Sequence, residues 1–232
     1  LTKVCECAFE RCSRLKKIVF LNGDKPLIIE KLAFCESIVE SISFPSNLYE
    51  LQNGCFDKAS ILREVIIDQN NPYFKSFENK IIYKKSNLTQ ENHDILAFCL
   101  KDVNSITIPN YVEILSESLF DNNWNLCQVS FSEDSKLRII GKYAFFSTSI
   151  HHISLPSSLT IICEKAFCGC RKLTQVNFPK SSNLQVIEKN AFEGTPIEKI
   201  TLPSSLTQIC EESFDSCREL KTFEILNGSN PL

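Results

Sequence analysis

Leu173-Thr-Gln-Val176-Asn-Phe178-Pro179-Lys-Ser-Ser-Asn183-Leu184-Gln-Val-Ile187-Glu-Lys-Asn-Ala191-Phe192 decides the fold, because the chain says it again on both sides. Upstream, Pro156-Ser-Ser-Leu159-Thr-Ile161-Ile162 leads to Ala166-Phe167. Downstream, Pro203-Ser204-Ser205-Leu206-Thr-Gln-Ile209 leads to Ser213-Phe214, and then to Leu220-Lys-Thr-Phe223-Glu-Ile225. Phe9, Phe34, Phe56, Phe120, Phe145, Phe167, Phe192 and Phe214 lie 25, 22, 64, 25, 22, 25 and 22 residues apart, with Phe98 inside the long gap. Self-similarity at this period means stacked supersecondary units, none of which buries its apolar edge alone.

The consensus L-x-x-I-x-x-x-A-F, turn, L-x-x-I-x-L-P has a physical reading in each half. Its I-x-L segment alternates apolar with polar residues, the period of a strand buried on one face. Proline then ends the strand, since it has no N–H for a further ladder bond. Nine such strands follow one another, centred on Ile18, Ile42, Val65, Ile106, Val129, Ile153, Val176, Ile200 and Phe223. The Ala-Phe segment is too short for an independent helix, so a single helical or 3₁₀ turn is expected, its Phe pointing inward onto the Phe of neighbouring layers. Parallel strands about 4.8 Å apart predict one elongated solenoid over 1–232, a curved rod on the order of 45–50 Å long. With no Met, and with no polar cap at either end, the chain reads as an excerpt of a longer array whose uncapped ends are available for self-association.

These phrases resemble the BspA-like leucine-rich repeats, also called Treponema-pallidum-type repeats, over essentially the whole chain. The resemblance implies a right-handed solenoid, mainly β, in large surface-exposed proteins of bacteria and protist parasites. Attachment to host proteins or cells is the role it implies. Proline departs from the Asn or Cys ladder of the commoner leucine-rich repeat. The irregular 70–100 segment fits the same family: Asn71-Pro72-Tyr73-Phe74-Lys-Ser76-Phe77-Glu-Asn-Lys-Ile81-Ile82-Tyr83 is similar to its N-P-x-F-x-S-x-D-G-x-L-Y phrase. With the later run Ile95-Leu96-Ala97-Phe98 it is expected to give two strands joined by an exposed, mobile tip from Lys84 to Asp94. Glu78-Asn79 replaces the usual Asp-Gly turn, and Asn tolerates the left-handed backbone needed there.

Composition excludes several functions. A net charge of −3 and a pI near 5.7 give no basic footprint for nucleic acid, and no apolar run is long enough to span a membrane. The twelve cysteines suggest a disulfide framework at first. However, Cys163 and Cys210, like Cys170 and Cys217, stand two layers apart, about 10 Å, beyond the roughly 7 Å a disulfide spans. They are expected to be free, buried packing residues. Cys5-x-Cys7 and Cys168-x-Cys170 lack zinc-ligand spacing, and His151 and His152, adjacent on a strand, are expected to face opposite ways. No nucleophile motif or phosphate loop is present, so neither catalysis nor a cofactor is expected. Glu164, Glu188, Glu211 and Glu212 read as solvated acids, or as acids at the start of a short helical turn.

What remains is the open face of the sheet. Residues flanking each central Ile point away from the core and form two columns. One is Lys17, Ser41, Glu64, Ser105, Gln128, His152, Gln175, Lys199 and Thr222. The other is Val19, Ser43, Ile66, Thr107, Ser130, Ser154, Asn177, Thr201 and Glu224. Extended solenoid faces of this kind suit protein partners, host or extracellular proteins in the surface reading. Trp124, the sole tryptophan, either anchors a contact or covers the enlarged layer beside it. Asn87-Leu88-Thr89 and Asn227-Gly228-Ser229 are glycosylation sequons. The expectation is a non-enzymatic recognition module at a cell surface, with an intracellular scaffold as the alternative that unpaired thiols favour.

Overall fold

Two short runs of extended chain and one corner make each coil. In the computed structural model, which describes residues 1–59 and 61–226, the coils gather into two compact units, Leu1–Leu100 and Lys101–Leu232. The first unit contains β1 (Lys3–Val4), β2 (Lys17–Val19), β3 (Leu27–Ile29), β4 (Ser41–Phe44), β5 (Leu48–Leu51), β6 (Glu64–Ile67), β7 (Phe74–Phe77), β8 (Ile81–Lys84) and β9 (Ile95–Cys99). The second contains β10 (Ser105–Ile108), β11 (Ile114–Leu115), β12 (Gln128–Phe131), β13 (Ile139–Ile140), β14 (His152–Ser154), β15 (Ile161–Ile162), β16 (Gln175–Asn177), β17 (Val186–Ile187), β18 (Lys199–Leu202), β19 (Gln208–Ile209) and β20 (Thr222–Ile225).

Both units are β-solenoids of the leucine-rich-repeat type, without helices among the described residues. In the first, β1-β3-β5 and β2-β4-β6 form two parallel sheets. In the second, β11-β13-β15-β17-β19 run parallel on one side, and β10-β12, β14-β16 and β18-β20 form parallel pairs on the other. The I-x-L strands are β2, β4 and β6 in the first unit and β10, β12, β14, β16, β18 and β20 in the second, as the alternation predicts. The partner strands, such as β15 and β17, were not foreseen, since two residues are too few to display a period of two.

Between the strands the phenylalanines pile up. In the second unit Phe120, Phe145, Phe167, Phe192 and Phe214 stack with ring centroids 5.1, 5.0, 5.2 and 5.3 Å apart. In the first, Phe9–Phe34 and Phe34–Phe56 stack at 5.5 Å, and Phe98 on β9 extends the row, tilted against Phe56 at 4.7 Å. Ala33, Ala144, Ala166 and Ala191 beside the rings are fully buried, so a larger side chain there would displace the stack.

The corner holding each ring differs from the helical or 3₁₀ turn expected. Phe167 is bracketed by left-handed residues two positions away on each side, Lys165 (φ 55°) and Gly169 (φ 70°). Every repeat corner carries such a pair, from Cys7 and Arg11 around Phe9 to Glu212 and Ser216 around Phe214. The inversions split the amides into two sets. Ala166, Cys168 and Cys170 donate back to Cys163, Lys165 and Phe167, whereas Lys165, Phe167 and Gly169 donate to Lys189, Ala191 and Glu193 of the next coil. A 3₁₀ turn would send every N–H to the residue three back and leave the neighbouring coil's carbonyls without donors. Buried carbonyls need partners, and overlapping β-turns supply them at the cost of left-handed backbone.

The 70–100 segment makes three strands, not two. β7 and β8 form a tight antiparallel hairpin closed by Glu78 (φ 50°) and Asn79 (φ 53°), the pair of positive φ values a type I′ turn requires. β9 then pairs antiparallel with β8 after the 85–94 loop. The phrase read as a single strand already contains its own reversal. The hairpin docks on β6, where the Val65 and Ile67 amides donate to the Asn79 carbonyl (2.7 Å) and Ser76 Oγ (3.3 Å).

Candidate recognition face

The backbone ladder brings the two expected columns into register. Lys17, Ser41 and Glu64 are direct neighbours, as are Val19, Ser43 and Ile66. In the second unit Ser105 adjoins Gln128, His152 adjoins Gln175, and Lys199 adjoins Thr222. Beside them Thr107 pairs with Ser130, Ser154 with Asn177, and Thr201 with Glu224. The residues between the columns are buried from Ile18 to Ile200; Phe223 alone is 45% exposed.

The column side chains bond along the face. Thr107 and Ser130 hydroxyls lie 2.8 Å apart, the Asn177 amide donates to Ser154 Oγ (3.2 Å), and Gln175 donates to Asn177 Oδ1 (2.9 Å). Glu224 accepts from Lys199 Nζ (3.1 Å) and Thr201 Oγ1 (3.0 Å), and the Lys199 bond holds its carboxyl below the usual range. Two grooves cut this face, of about 450 Å³ along β12 and β14 and about 460 Å³ along β16 and β18. Trp124, four residues ahead of β12, is 73% exposed, so it covers no layer and is available for contact.

Glu188 is not merely solvated, and there is no helix start for it to favour. Its Oε2 accepts the Glu164 amide of the preceding coil (2.8 Å), as Glu30 accepts that of Glu6 (2.9 Å). Acids at this column join coils. Glu211 and Glu212 pair with Lys189 at 3.4 and 3.5 Å, on a surface where such pairs contribute little.

All twelve cysteines are free. Cys170 and Cys217 donate to the carbonyls of Phe145 (2.9 Å) and Phe192 (3.1 Å), and alternate with Thr148 and Thr195, each 3.3 Å from its cysteine partner. Burial pushes the Cys163 and Cys170 thiols to about 11, and burial together with Glu193 pushes Cys168 to about 12. Thiols held protonated are neither nucleophiles nor ready metal ligands. No group of three or more metal-ligating side chains occurs among the described residues, and no helix is long and apolar enough to cross a membrane. His151 precedes β14 instead of lying on it, and both it and His152 are exposed.

In the 85–94 loop, Asn87 is exposed and its Oδ1 accepts the Thr89 amide (2.9 Å); Asn227 lies outside the described residues. Asp94 is buried and takes the Ser86 amide (2.8 Å), fastening the loop's ends. Next to it, His93 Nε2 is buried without a hydrogen-bond partner. Burial lowers this imidazole's pKa from 6.5, and Lys85 and Lys75 add to the effect against an opposing pull from Asp94. A depressed folded value means that the unfolded chain binds the proton more readily. The contribution of neutral His93 is therefore complete above pH 6.5 and is lost as pH falls below it. Urea titrations at about pH 7.5 and 5.5 should show a steeper acid loss in wild type than in His93→Gln; equal losses would deny the histidine this role.

Comparison with known proteins gives a consistent picture. Residues 1–95 and 93–221 match the model described as BspA type leucine rich repeat region, in six copies. Among curated protein sequences there is no significant match. A leucine rich cell surface protein of Faecalibacterium prausnitzii superposes with a TM-score of 0.74 at 23% identity, over 96% of this chain and 62% of that one. The pneumococcal vaccine antigen PcpA gives 0.60 at 20% identity, over 99% and 55%. A leucine-rich repeat protein of Eubacterium ventriosum gives 0.54 at 16%, over 100% and 82%. The chain thus spans less than two thirds of the length of the first and of PcpA, and identities this low establish likeness of fold.

Proposed function

Because the chain belongs to the BspA-type leucine-rich repeat family, we propose that it is a non-enzymatic recognition module working at a cell surface, where it binds host or extracellular proteins through its open sheet faces. The observation that carries this reading is the pair of exposed columns, including Gln128, His152, Gln175 and Ser154, held in register by backbone pairing within β10-β12, β14-β16 and β18-β20. A face fixed in advance binds through many weak contacts with little ordering cost. The surface setting draws on the likeness to a bacterial cell surface protein and to a pneumococcal antigen.

The test is solid-phase binding of the purified chain to a panel of immobilised extracellular-matrix proteins. His152→Ala/Gln175→Ala, which alters exposed side chains only, should weaken binding about tenfold or more. Undiminished binding by that variant would remove the face from the mechanism. The twelve unpaired thiols favour a second reading, an intracellular scaffold using the same face, because oxidising compartments convert accessible thiols to disulfides. Surface biotinylation of intact cells separates the two: labelling upholds the adhesin, and protection until lysis upholds the scaffold.

A further inference from the structure

Phe131 and Phe178 stand 47 residues apart, one 25-plus-22 double repeat, and each lines one of the two grooves of the second unit. The walls repeat with them. Gln128 and Ser130 on β12 recur as Gln175 and Asn177 on β16; His152 and Ser154 on β14 recur as Lys199 and Thr201 on β18. The grooves are one construction used twice, with centres two coils or about 10 Å apart.

The phenylalanines explain why grooves form here. They alternate with smaller aliphatic residues at the same place in neighbouring coils: Phe131 is in register with Ile108, and Leu155 and Leu202 hold the place on either side of Phe178. Those aliphatic residues are buried, whereas both rings are only half-buried. In the first unit, by contrast, Phe20 and Phe44 occupy successive coils and stack at 5.5 Å. Each groove of the second unit therefore offers an aromatic surface beside amides and hydroxyls that both donate and accept.

Charge narrows the ligand. Asp134 is the sole ionic residue of the first groove. In the second, Lys199 is tied to Glu224 (3.1 Å) and Glu198 to Lys221 (3.3 Å). No uncompensated cluster draws an ionic partner. A ligand that suits these walls is uncharged, rich in hydroxyls around its rim, and able to lay an apolar C–H face on a ring. A pyranose has that chemistry, and each volume lies within the range of small-ligand sites.

We propose that the two grooves are equivalent subsites for a single uncharged saccharide chain carried by the partner, an inference that rests on the face being the recognition surface. Tandem subsites make the second contact intramolecular, so affinity depends on ligand length. Calorimetric titration of the purified chain with di- and hexasaccharides of glucose and of N-acetylglucosamine tests this, against a sulfated hexasaccharide and a Ser/Thr-rich peptide of similar length. A neutral hexasaccharide should bind at least tenfold tighter than its disaccharide. Gln128→Ala should erase that advantage, and Gln128→Ala/Gln175→Ala should abolish binding; both glutamines are exposed, and a circular dichroism melt confirms that the variants fold.

Absence of binding by every neutral saccharide at about 5 mM, equal affinity for both lengths, or preference for the peptide or the sulfated chain would overturn the proposal. Enzymatic deglycosylation of a matrix protein captured in the panel distinguishes the two levels of inference. Loss of binding supports the saccharide. Binding that survives deglycosylation but not His152→Ala/Gln175→Ala sinks the saccharide and keeps the face; binding indifferent to both treatments sinks the two together.

Discussion

Phe167→Ala should destabilise the second unit by about 3–5 kcal/mol, the range for truncating a fully buried aromatic. The ring has no exposure and is sandwiched between Phe145 at 5.0 Å and Phe192 at 5.2 Å. Removing it takes away its own burial, worth about 1.5–3 kcal/mol, and two stacking contacts of about 0.5–1.5 kcal/mol each. It also opens a cavity that the corner cannot close, because Phe167 and Gly169 amides are tied to the next coil at 2.8 Å. Phe214→Ala is the internal control: that ring is half-buried and keeps one stacked neighbour, Phe192, with Phe223 edge-on. Its truncation should cost less than half as much. Coils interact chiefly with their neighbours, so hydrogen exchange should accelerate most from β15 to β17. Equal urea midpoints for the two variants would mean that the stacked rings do not form the structural spine of this unit.

Why the spine was legible and its corner was not follows from what each depends on. A ring recurring every 22 or 25 residues is a statement about sequence, and so is the alternation that placed Ile153 inward and His152 outward. The left-handed residues flanking each Phe have no shared side chain: Lys165, Asn190, Tyr143 and Glu212 all adopt positive φ, with Gly at just three corner positions, 54, 169 and 194. Their conformation is imposed by the hydrogen-bond needs of the coil above, information that no single repeat contains. The partner strands were hidden for a related reason. At two residues each they are defined by pairing across coils, as in Ile161↔Val186, and not by any local period.

The face divides in the same way. Its columns follow from period two, and every predicted neighbour pair that the ladders join falls in register. The grooves do not follow from it, since the half-exposure of Phe131 and Phe178 depends on the smaller size of Ile108, Leu155 and Leu202 in other coils. A comparison of residue volumes down that column, coil by coil, would have exposed the pattern. Trp124 illustrates the limit from another side: its neighbour Asn123 is buried and bonds the Val103 carbonyl (3.3 Å), so the indole is turned outward by a polar residue's needs.

Asn71→Ala should cost the first unit about 3–5 kcal/mol, although it deletes only an amide. The side chain is 7% exposed and makes five bonds. Its Nδ2 shares two N–H protons among the carbonyls of Pro45 (3.3 Å), Ser46 (3.1 Å) and Leu48 (2.8 Å), and its Oδ1 accepts the amides of Tyr73 and Phe74, both at 2.8 Å. Alanine would strand several of these backbone groups, most of them shielded from water, at about 1–3 kcal/mol for each one left unsatisfied. The asparagine that opens the N-P-x-F phrase thus locks the segment entering β7 onto the turn between β4 and β5, which places the β7–β8 hairpin over β6. Asn71→Asp separates the two halves of the bond set. It keeps the acceptor for Tyr73 and Phe74 but points an ionised oxygen at three carbonyls, so it should be at least as damaging at neutral pH and should recover on acidification, when a protonated carboxyl can donate. Urea denaturation of both variants, with hydrogen exchange followed at Tyr73, Phe74 and the β5 amides, measures the effect. A loss below about 1 kcal/mol for Asn71→Ala would show that water reaches these carbonyls, and that the hairpin is held by its apolar contacts alone.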